Sequence, residues 1–176
     1  AELIFKDEGL AGFIQSVINR FYAFSTHIKV PTKEYIRILE SQDYDLSKMS
    51  IFKRGFSPRP DRLNETAKAG FMAEKGIRKG FTLMWAGRVS KDKNIDFLID
   101  TYKEAARKIP DLNLVLCGDG PDLKALKKAC RGQHRIYFTG YVANEKLQDY
   151  YEISDLFVLP STTETFGMVI LEAQAK

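Results

Sequence analysis

The sequence predicts an α/β fold in which a parallel, Rossmann-like sheet carries helices on both faces. Two observations lead to this prediction. From residue 81 onward, short apolar runs alternate with amphipathic stretches and the links between them are short, which is the pattern of βαβ units. The chain has 176 residues, of which 44% are hydrophobic and 28% are charged. That size and composition allow a domain with a substantial core.

The alternation predicts four strands and four helices. Ligands of such sheets bind beyond the carboxyl ends of the strands, so functional residues are expected there. Pro121 suits the first turn of a helix and Asn144 suits an N-cap. Crossovers between the strands are expected to be right-handed. The predicted strands span residues 81–86, 112–117, 136–138 and 156–159, and the helices span 94–108, 121–129, 144–153 and a segment that starts near Gly167.

The residues before this alternation have a different organisation. Apolar residues recur at three- and four-residue spacing over 10–24, which predicts a helix. It faces either a core or a membrane surface, and its few lysines and arginines favour the core. Two short strands, at 27–30 and 49–52, flank a short helix capped by Thr32. Prolines and glycines then interrupt the pattern. The predicted domains are residues 1–55, a linker at 56–80 and a main domain at 81–176.

Composition narrows the classes of function. A net charge of +4 suits an anionic ligand. The basic residues are scattered among acids and are not clustered with aromatic residues, which disfavours nucleic acid as a partner. Two cysteines do not make a disulfide framework, and two distant histidines do not make a histidine-rich metal site. No apolar run is long enough for a membrane span and no signal peptide is visible. These features predict a protein of the reducing cytoplasm.

Two carboxylates near the last predicted strand are the strongest candidates for a binding site. Glu164 follows that strand in a polar loop, and Glu172 lies eight residues later within a predicted helix. Gly167 marks the start of that helix, where unpaired backbone N–H groups bind anions. Acids on both sides of a bound anion suggest a ligand with a phosphate in the middle and hydroxyl-bearing groups at both ends. A nucleotide sugar has that shape. Glu172 could also be an ordinary surface residue, but its apolar neighbours indicate a partly desolvated carboxylate that needs partners.

Other candidates lie at the ends of the remaining strands. Gly87, Arg88 and Lys93 follow the first of them, and a guanidinium beside an ammonium suits a phosphate. The alternative is that Lys93 belongs to an ordinary solvated loop. The glycines of the turn at 118–121 serve either the turn itself or a ligand. The segment 140–142 could border a flat base with its backbone, although no side chain there requires it.

With these residues assembled, residues 81–176 resemble the donor-binding domain of the retaining glycosyltransferase family 4, also called group 1, which has the GT-B fold. Residues 24–60 are similar, more loosely, to the end of the acceptor-side domain, so residues 1–55 are interpreted as a remnant of that domain. Five motifs in order carry the resemblance: Ala86-Gly87-Arg88 with Lys93, Gly118-Asp119-Gly120-Pro121, Phe138-Thr139-Gly140-Tyr141-Val142, Asp155 to Ser161, and Glu164-Thr165-Phe166-Gly167 through Glu172-Ala173.

The resemblance implies a role for each candidate residue. Arg88 and Lys93 would bind the donor diphosphate and Glu164 would bind hydroxyls of the transferred sugar, and these three form the implied catalytic set. Glu172 would bind the ribose. The other donor-binding residues implied by the resemblance are Gly87, Gly140, Tyr141 and Val142, of which the last three border the base, and Phe166, Gly167 and Met168, whose backbone meets the sugar and phosphate.

The resemblance further implies hexosyl transfer from a nucleoside-diphosphate sugar, with UDP as the default nucleotide, to an acceptor hydroxyl with retention of configuration. No metal and no cofactor besides the donor are implied. The acceptor is unidentified, and the full-length protein could associate peripherally with the inner face of a membrane. The chain departs from the family at Thr165, where glycine is usual, and it resembles a fragment that is incomplete at both ends. We therefore expect it to bind the donor without turnover.

Two other functions stay open at this point. One is a nucleotide- or sugar-phosphate-binding module without catalysis. The other is a GT-B epimerase that acts on the nucleotide sugar itself. A Rossmann dehydrogenase is disfavoured because no Gly-x-Gly-x-x-Gly follows the first strand.

Overall fold

The structure is a computed structural model that describes residues 8–42, 44–52, 55, 62–162, 164 and 166–176. The predicted departure at Thr165 and the greater part of residues 53–61 lie outside the described residues. The chain divides into two compact units, Ala1–Gly55 and Phe56–Lys176, and each is described by itself.

The described part of the first unit contains two α-helices, a short 3₁₀ helix at Leu46–Lys48 and a two-stranded parallel sheet. Its elements are α1 (Glu8–Phe24), β1 (Ile28–Val30), α2 (Lys33–Glu40) and β2 (Met49–Ile51). β1 and β2 pair in parallel, with Ile28 opposite Met49. The side chain of Thr32 accepts a hydrogen bond from the backbone N–H of Tyr35 at 3.3 Å, which confirms the predicted N-cap. No helix among the described residues is long and apolar enough to cross a membrane.

The apolar stripe of α1 does not lie in a core within the described part of this unit. Phe13, Phe21 and Phe24 are 68%, 74% and 83% exposed. Only Ala11, which is 5% exposed, is buried among the hydrophobic residues of this helix. The spacing predicted the helix correctly, but spacing alone does not determine which surface covers an apolar face.

The second unit is built on a four-stranded parallel sheet. Its strands are β3 (Thr82–Ala86), β4 (Asn113–Cys117), β5 (Ile136–Gly140) and β6 (Leu156–Phe157), in the order β5-β4-β3-β6. Every strand pair is parallel, so the predicted sheet is confirmed. β6 is shorter than predicted, because after Phe157 the ladder continues only through the backbone N–H of Val158, which donates to the carbonyl of Met84 at 2.8 Å.

Helices cover both faces of this sheet, as predicted. α4 (Ile95–Ala106) and α5 (Leu123–Ala129) pack against the face that carries Trp85 and Leu114. α6 (Asn144–Glu152), together with residues of α3 (Glu65–Glu74) and α7 (Met168–Gln174), packs against the face that carries Met84 and Val115. Adjacent residues of one strand thus enter different cores, as the two-residue period of a strand requires. All four of these strand residues are fully buried.

α3 lies inside the stretch predicted as a linker, residues 56–80. Its N-terminus is capped by Asn64, whose side chain accepts from the backbone N–H of Ala67 at 2.9 Å. The ring of Phe71 contacts the ring of Tyr150 on α6, with centroids 5.0 Å apart, and Ile77 is 5% exposed. The sequence does not predict this helix, because its apolar residues do not recur clearly on one face and because Gly70 interrupts them.

The strand order determines where a ligand can bind. β4 pairs with one side of β3, and β5 then pairs with the far side of β4. The chain next returns, so that β6 pairs with the opposite side of β3. The order therefore reverses between β3 and β6. In open α/β sheets, the crevice outside the carboxyl ends of the strands at such a reversal is the usual binding position.

Candidate functional site

Two predicted site residues meet at this reversal. Lys93 ends the turn that joins β3 to α4, and Glu164 lies in the loop that follows β6. The ammonium nitrogen Nζ of Lys93 is 2.7 Å from Oε1 of Glu164, and their side chains are 18% and 27% exposed. The fold thus joins residues that are 71 positions apart in sequence.

Two further polar side chains, of Ser161 and Asn94, form hydrogen bonds at this junction. Ser161 donates its hydroxyl to Oε1 of Glu164 at 2.5 Å. Asn94, which follows Lys93 with a left-handed φ of 51°, donates its amide to the carbonyl of Pro160 at 3.4 Å. The loop after β3 is therefore bonded to the loop after β6. Asparagine is one of the few residue types that adopts this backbone conformation readily.

The surroundings of Glu164 stabilise its ionised form. Burial by itself raises the pKa of this carboxyl group. Hydrogen bonds from Lys93 and Ser161, together with the positive charge of Lys93, outweigh burial, so the pKa of Glu164 lies below its ordinary value. The group is therefore an acceptor for hydroxyls at neutral pH and not a proton donor.

Arg88 lies at the same edge, exposed at the end of β3. Its charge acts on Asp92, which was predicted only as a loop residue. The hydrogen bond from Ser90 is the main factor that lowers the pKa of Asp92, and the charges of Lys93 and Arg88 add to it. Oδ2 of Asp92 is 3.8 Å from Nζ of Lys93. Of the two predicted phosphate-binding cations, Lys93 therefore contacts this carboxylate, and Arg88 acts on it only through its charge.

Glu172 has the partner that its apolar neighbours required. The hydroxyl of Tyr151, on α6, donates to Oε2 of Glu172 at 3.1 Å. Tyr151 is 4% exposed. Burial is the main cause that raises the pKa of its phenol, followed by the negative charge of Glu172. The sequence analysis missed Tyr151, because 21 residues separate it from its partner and only the packing of α6 on α7 joins them.

Two of the predicted glycines, Gly87 and Gly140, lie at the carboxyl ends of strands, and the third, Gly167, lies at the start of a helix. Gly167 is buried and precedes α7 with a left-handed φ of 66°, with the half-buried Phe166 before it and Met168 after it. Gly140 ends β5 with φ of 74°. The N–H of Gly87, after β3, donates to the carbonyl of Cys117 at 3.0 Å.

The predicted base-side segment lies apart from the charged residues. Tyr141 is 79% exposed, whereas Val142 packs against the core beneath α6. Among the described residues, neither Gly140 nor its two successors forms a hydrogen bond with the Lys93 and Glu164 pair. β4 lies between β5 and β3, so the two parts of the predicted site are separated along the edge of the sheet.

Comparison with known proteins identifies the family. The family model for glycosyl transferases group 1 matches residues 70–176. The chain belongs to this family. The predicted resemblance to group 1 and to the GT-B fold is thereby confirmed.

Known members of this family show similarity over different shares of the chain. An alpha-monoglucosyldiacylglycerol synthase from Acholeplasma laidlawii is 30% identical over 166 residues, which are 90% of this chain and 42% of the relative. A 2-deoxystreptamine N-acetyl-D-glucosaminyltransferase from Niallia circulans is 35% identical over 95 residues, which are 52% of this chain and 24% of the relative. This chain thus spans less than half the length of these two relatives.

Solved structures share the fold. The crystal structure of Anabaena Alr3699/HepE in complex with UDP-glucose superimposes with a TM-score of 0.78 and 20% identity, over 92% of this chain and 45% of that one. At this identity the likeness establishes the architecture and not the ligand.

Proposed function

We propose that this group 1 family member forms the donor side of a retaining hexosyltransferase, which transfers a sugar from a UDP-sugar to an acceptor hydroxyl as part of the full-length protein. The Lys93 and Glu164 ion pair at the strand-order reversal carries the proposal, because it joins a phosphate-binding cation to a hydroxyl-binding carboxylate. Two structural neighbours support the choice of donor: Anabaena Alr3699/HepE in complex with UDP-glucose, and the pneumococcal O-GlcNAc transferase GtfA in complex with UDP and GlcNAc.

The chemistry follows from the charges at this edge. As the bond to the departing nucleotide breaks, negative charge develops on the diphosphate. Lys93 and Arg88 neutralise that charge, and donors that are already oriented in a partly dry site do this without reorganisation. Glu164 binds hydroxyls of the sugar. The proposal therefore requires no metal ion and no cofactor besides the donor.

The acceptor and the location of the protein are further parts of the proposal. The name of the Acholeplasma relative indicates a glycolipid product, whereas that of the Niallia relative indicates an aminocyclitol acceptor. We place the full-length protein in the cytoplasm, at the inner face of a membrane if its acceptor is a lipid. Retention of configuration would be established by the anomeric form of the product.

Replacement of Arg88 by alanine tests donor binding directly. We expect the affinity for UDP, measured by calorimetry, to fall about tenfold or more, since a cation that contacts phosphate is lost. Arg107→Ala is the matched control, because Arg107 is exposed directly after α4 and pairs with Glu104 at 2.8 Å. If UDP does not bind, or binds equally to the native protein and to Arg88→Ala, the proposed donor site is wrong.

Glu164→Gln separates the sugar subsite from the nucleotide subsite. UDP-glucose should bind about tenfold more weakly, because hydrogen bonds to a charged acceptor are lost. UDP alone should bind as well as before or better, since Lys93 no longer pairs with a carboxylate. Equal weakening of both ligands would contradict the role given to Glu164.

Glu164 should also make the preference for UDP-glucose over UDP depend on pH. Because the pKa of Glu164 is lowered, the carboxylate stays ionised until the pH falls through the lowered value. The folding stability that the ionised carboxylate contributes is present above its ordinary pKa and is lost over the same fall in pH. The share of the preference for UDP-glucose over UDP that depends on Glu164 should therefore be constant near neutral pH and should disappear only in acid. Titration of the terminal phosphate of UDP, with a pKa of about 6, affects the native protein and Glu164→Gln alike. In Glu164→Gln the preference should not vary over that acid range.

A further inference from the structure

Tyr151 occupies a fixed position between three elements of the second unit. Its backbone belongs to α6, and its side chain lies in the core that also contains Met84 and Val115. Its ring packs against the ring of Phe157 on β6, with centroids 5.7 Å apart and planes inclined by 53°. Its hydroxyl reaches α7. A side chain that is 4% exposed and held on several sides has little freedom to rotate.

The hydroxyl has one proton and two acceptors within reach. Oε2 of Glu172 is 3.1 Å away and the carbonyl oxygen of Val169 is 3.4 Å away. The carboxylate is both nearer and charged, so it is the stronger acceptor. The pKa of the phenol is raised, so Tyr151 keeps this proton throughout the neutral range. Each carboxylate oxygen has two lone pairs, so Glu172 can accept further hydrogen bonds while Tyr151 holds it.

We propose that Tyr151 is a positioning residue that orients the carboxylate of Glu172 toward the vicinal hydroxyls of the donor ribose, so that the site selects ribonucleotides over deoxyribonucleotides. The inference rests on the proposed function and on the ribose-binding role that the family resemblance implies for Glu172. Without the phenol, the half-buried glutamate side chain can adopt other rotamers, and the ligand has to order it on binding.

The effect is confined to one part of the ligand. A 2′-deoxyribose lacks one of the two hydroxyls that a carboxylate can bind together, so it gains less from an oriented Glu172. A site that hydrogen-bonds a hydroxyl discriminates against an analogue without it, because its buried polar group is then left without that partner. Loss of Tyr151 should therefore weaken the ribonucleotide selectively.

The test measures the affinities of UDP and 2′-deoxy-UDP by calorimetry for the full-length protein and its variants. Tyr151→Phe should weaken UDP about three- to tenfold and should change 2′-deoxy-UDP by less than about twofold, because one hydrogen bond to a charged group is removed while the ring remains. Tyr150→Phe is the matched control. Tyr150 is buried one residue away on the same helix, but its ring packs edge-on against Phe71 on α3.

A double variant tests whether Tyr151 acts through Glu172. Glu172→Gln should weaken UDP, and Tyr151→Phe added to it should cause little further loss, as expected for two residues that act as a unit. Equal weakening of both nucleotides by Tyr151→Phe, or additive losses in the double variant, would overturn the inference and leave donor binding intact. UDP binding that is unaffected by Glu172→Gln would overturn the inference in the same way. Absence of UDP binding in the native protein would instead refute the proposed function and, with it, this inference.

Discussion

Lys93→Ala should lower sugar transfer by the full-length protein by on the order of 10² to 10³, the usual loss when a donor that stabilises transition-state charge is removed. Lys93 is the cation that directly contacts Glu164 at the strand-order reversal, and its side chain is only 18% exposed. Partial burial strengthens its interaction with a developing diphosphate charge relative to that of an exposed lysine. The measurement is kcat with saturating donor and acceptor.

Lys91→Ala is the matched control for this experiment. Lys91 belongs to the same turn between β3 and α4 but is exposed, so its loss should change kcat by less than about twofold, as expected for a screened surface charge. Lys93→Arg should retain part of the activity, since it keeps the charge but changes its geometry. Equal effects of Lys91→Ala and Lys93→Ala would contradict the assigned role.

Product analysis without acceptor would reveal an epimerase instead of a transferase.

Gly118→Ala should destabilise the second unit by about 3 kcal/mol or more, since it adds both backbone strain and a steric clash. Gly118 follows β4 with φ of 153°, and a Cβ atom there would lie 1.8 Å from the carbonyl oxygen of Gly87. The N–H of Gly118 also donates to the carbonyl of Gly140 at 2.9 Å. Relief of the clash would displace the segment that carries Arg88, so UDP binding should weaken as well.

The free energy of unfolding in urea and calorimetric titration with UDP measure these two effects. Gly70→Ala is the control, because Gly70 lies within α3 and a Cβ atom there meets nothing within 4 Å. Alanine favours a helix over glycine by about 1 kcal/mol, so this variant should be as stable as the native protein or more stable. If Gly118→Ala unfolds at the same urea concentration as the native protein, the strands do not approach each other as closely as described.

The sequence predicted the parallel sheet because short apolar runs alternate with amphipathic stretches over short links, and it predicted the cap at Thr32 because a single side chain makes it. It could not predict the strand order, because apolar runs such as 112–117 and 156–159 do not specify which neighbour they pair with. The turn glycines illustrate the same limit. Turn formation and ligand contact were both left open for Gly118, and the structure adds a third reason, the close approach of Gly87.

The candidate site was likewise predicted only in part. Charged residues that follow strands were identified, because the carboxyl edge of a parallel sheet gathers them. Their partners were missed where the contact depends on packing. Tyr151 reaches Glu172 only through the packing of α6 on α7, and Asn94 reaches Pro160 across 66 residues of sequence. No local pattern distinguishes such a tyrosine from other core aromatic residues.

The mutual neutralisation of Lys93 and Glu164 has a consequence for competing solutes. Inorganic phosphate that approaches the ammonium has to separate it from a carboxylate at 2.7 Å and offers that carboxylate only weak compensation. A nucleotide sugar brings a diphosphate for the lysine and a hydroxyl for the glutamate in the same molecule. The ion pair would therefore weaken the binding of abundant simple anions, because only a ligand that carries both groups satisfies both side chains.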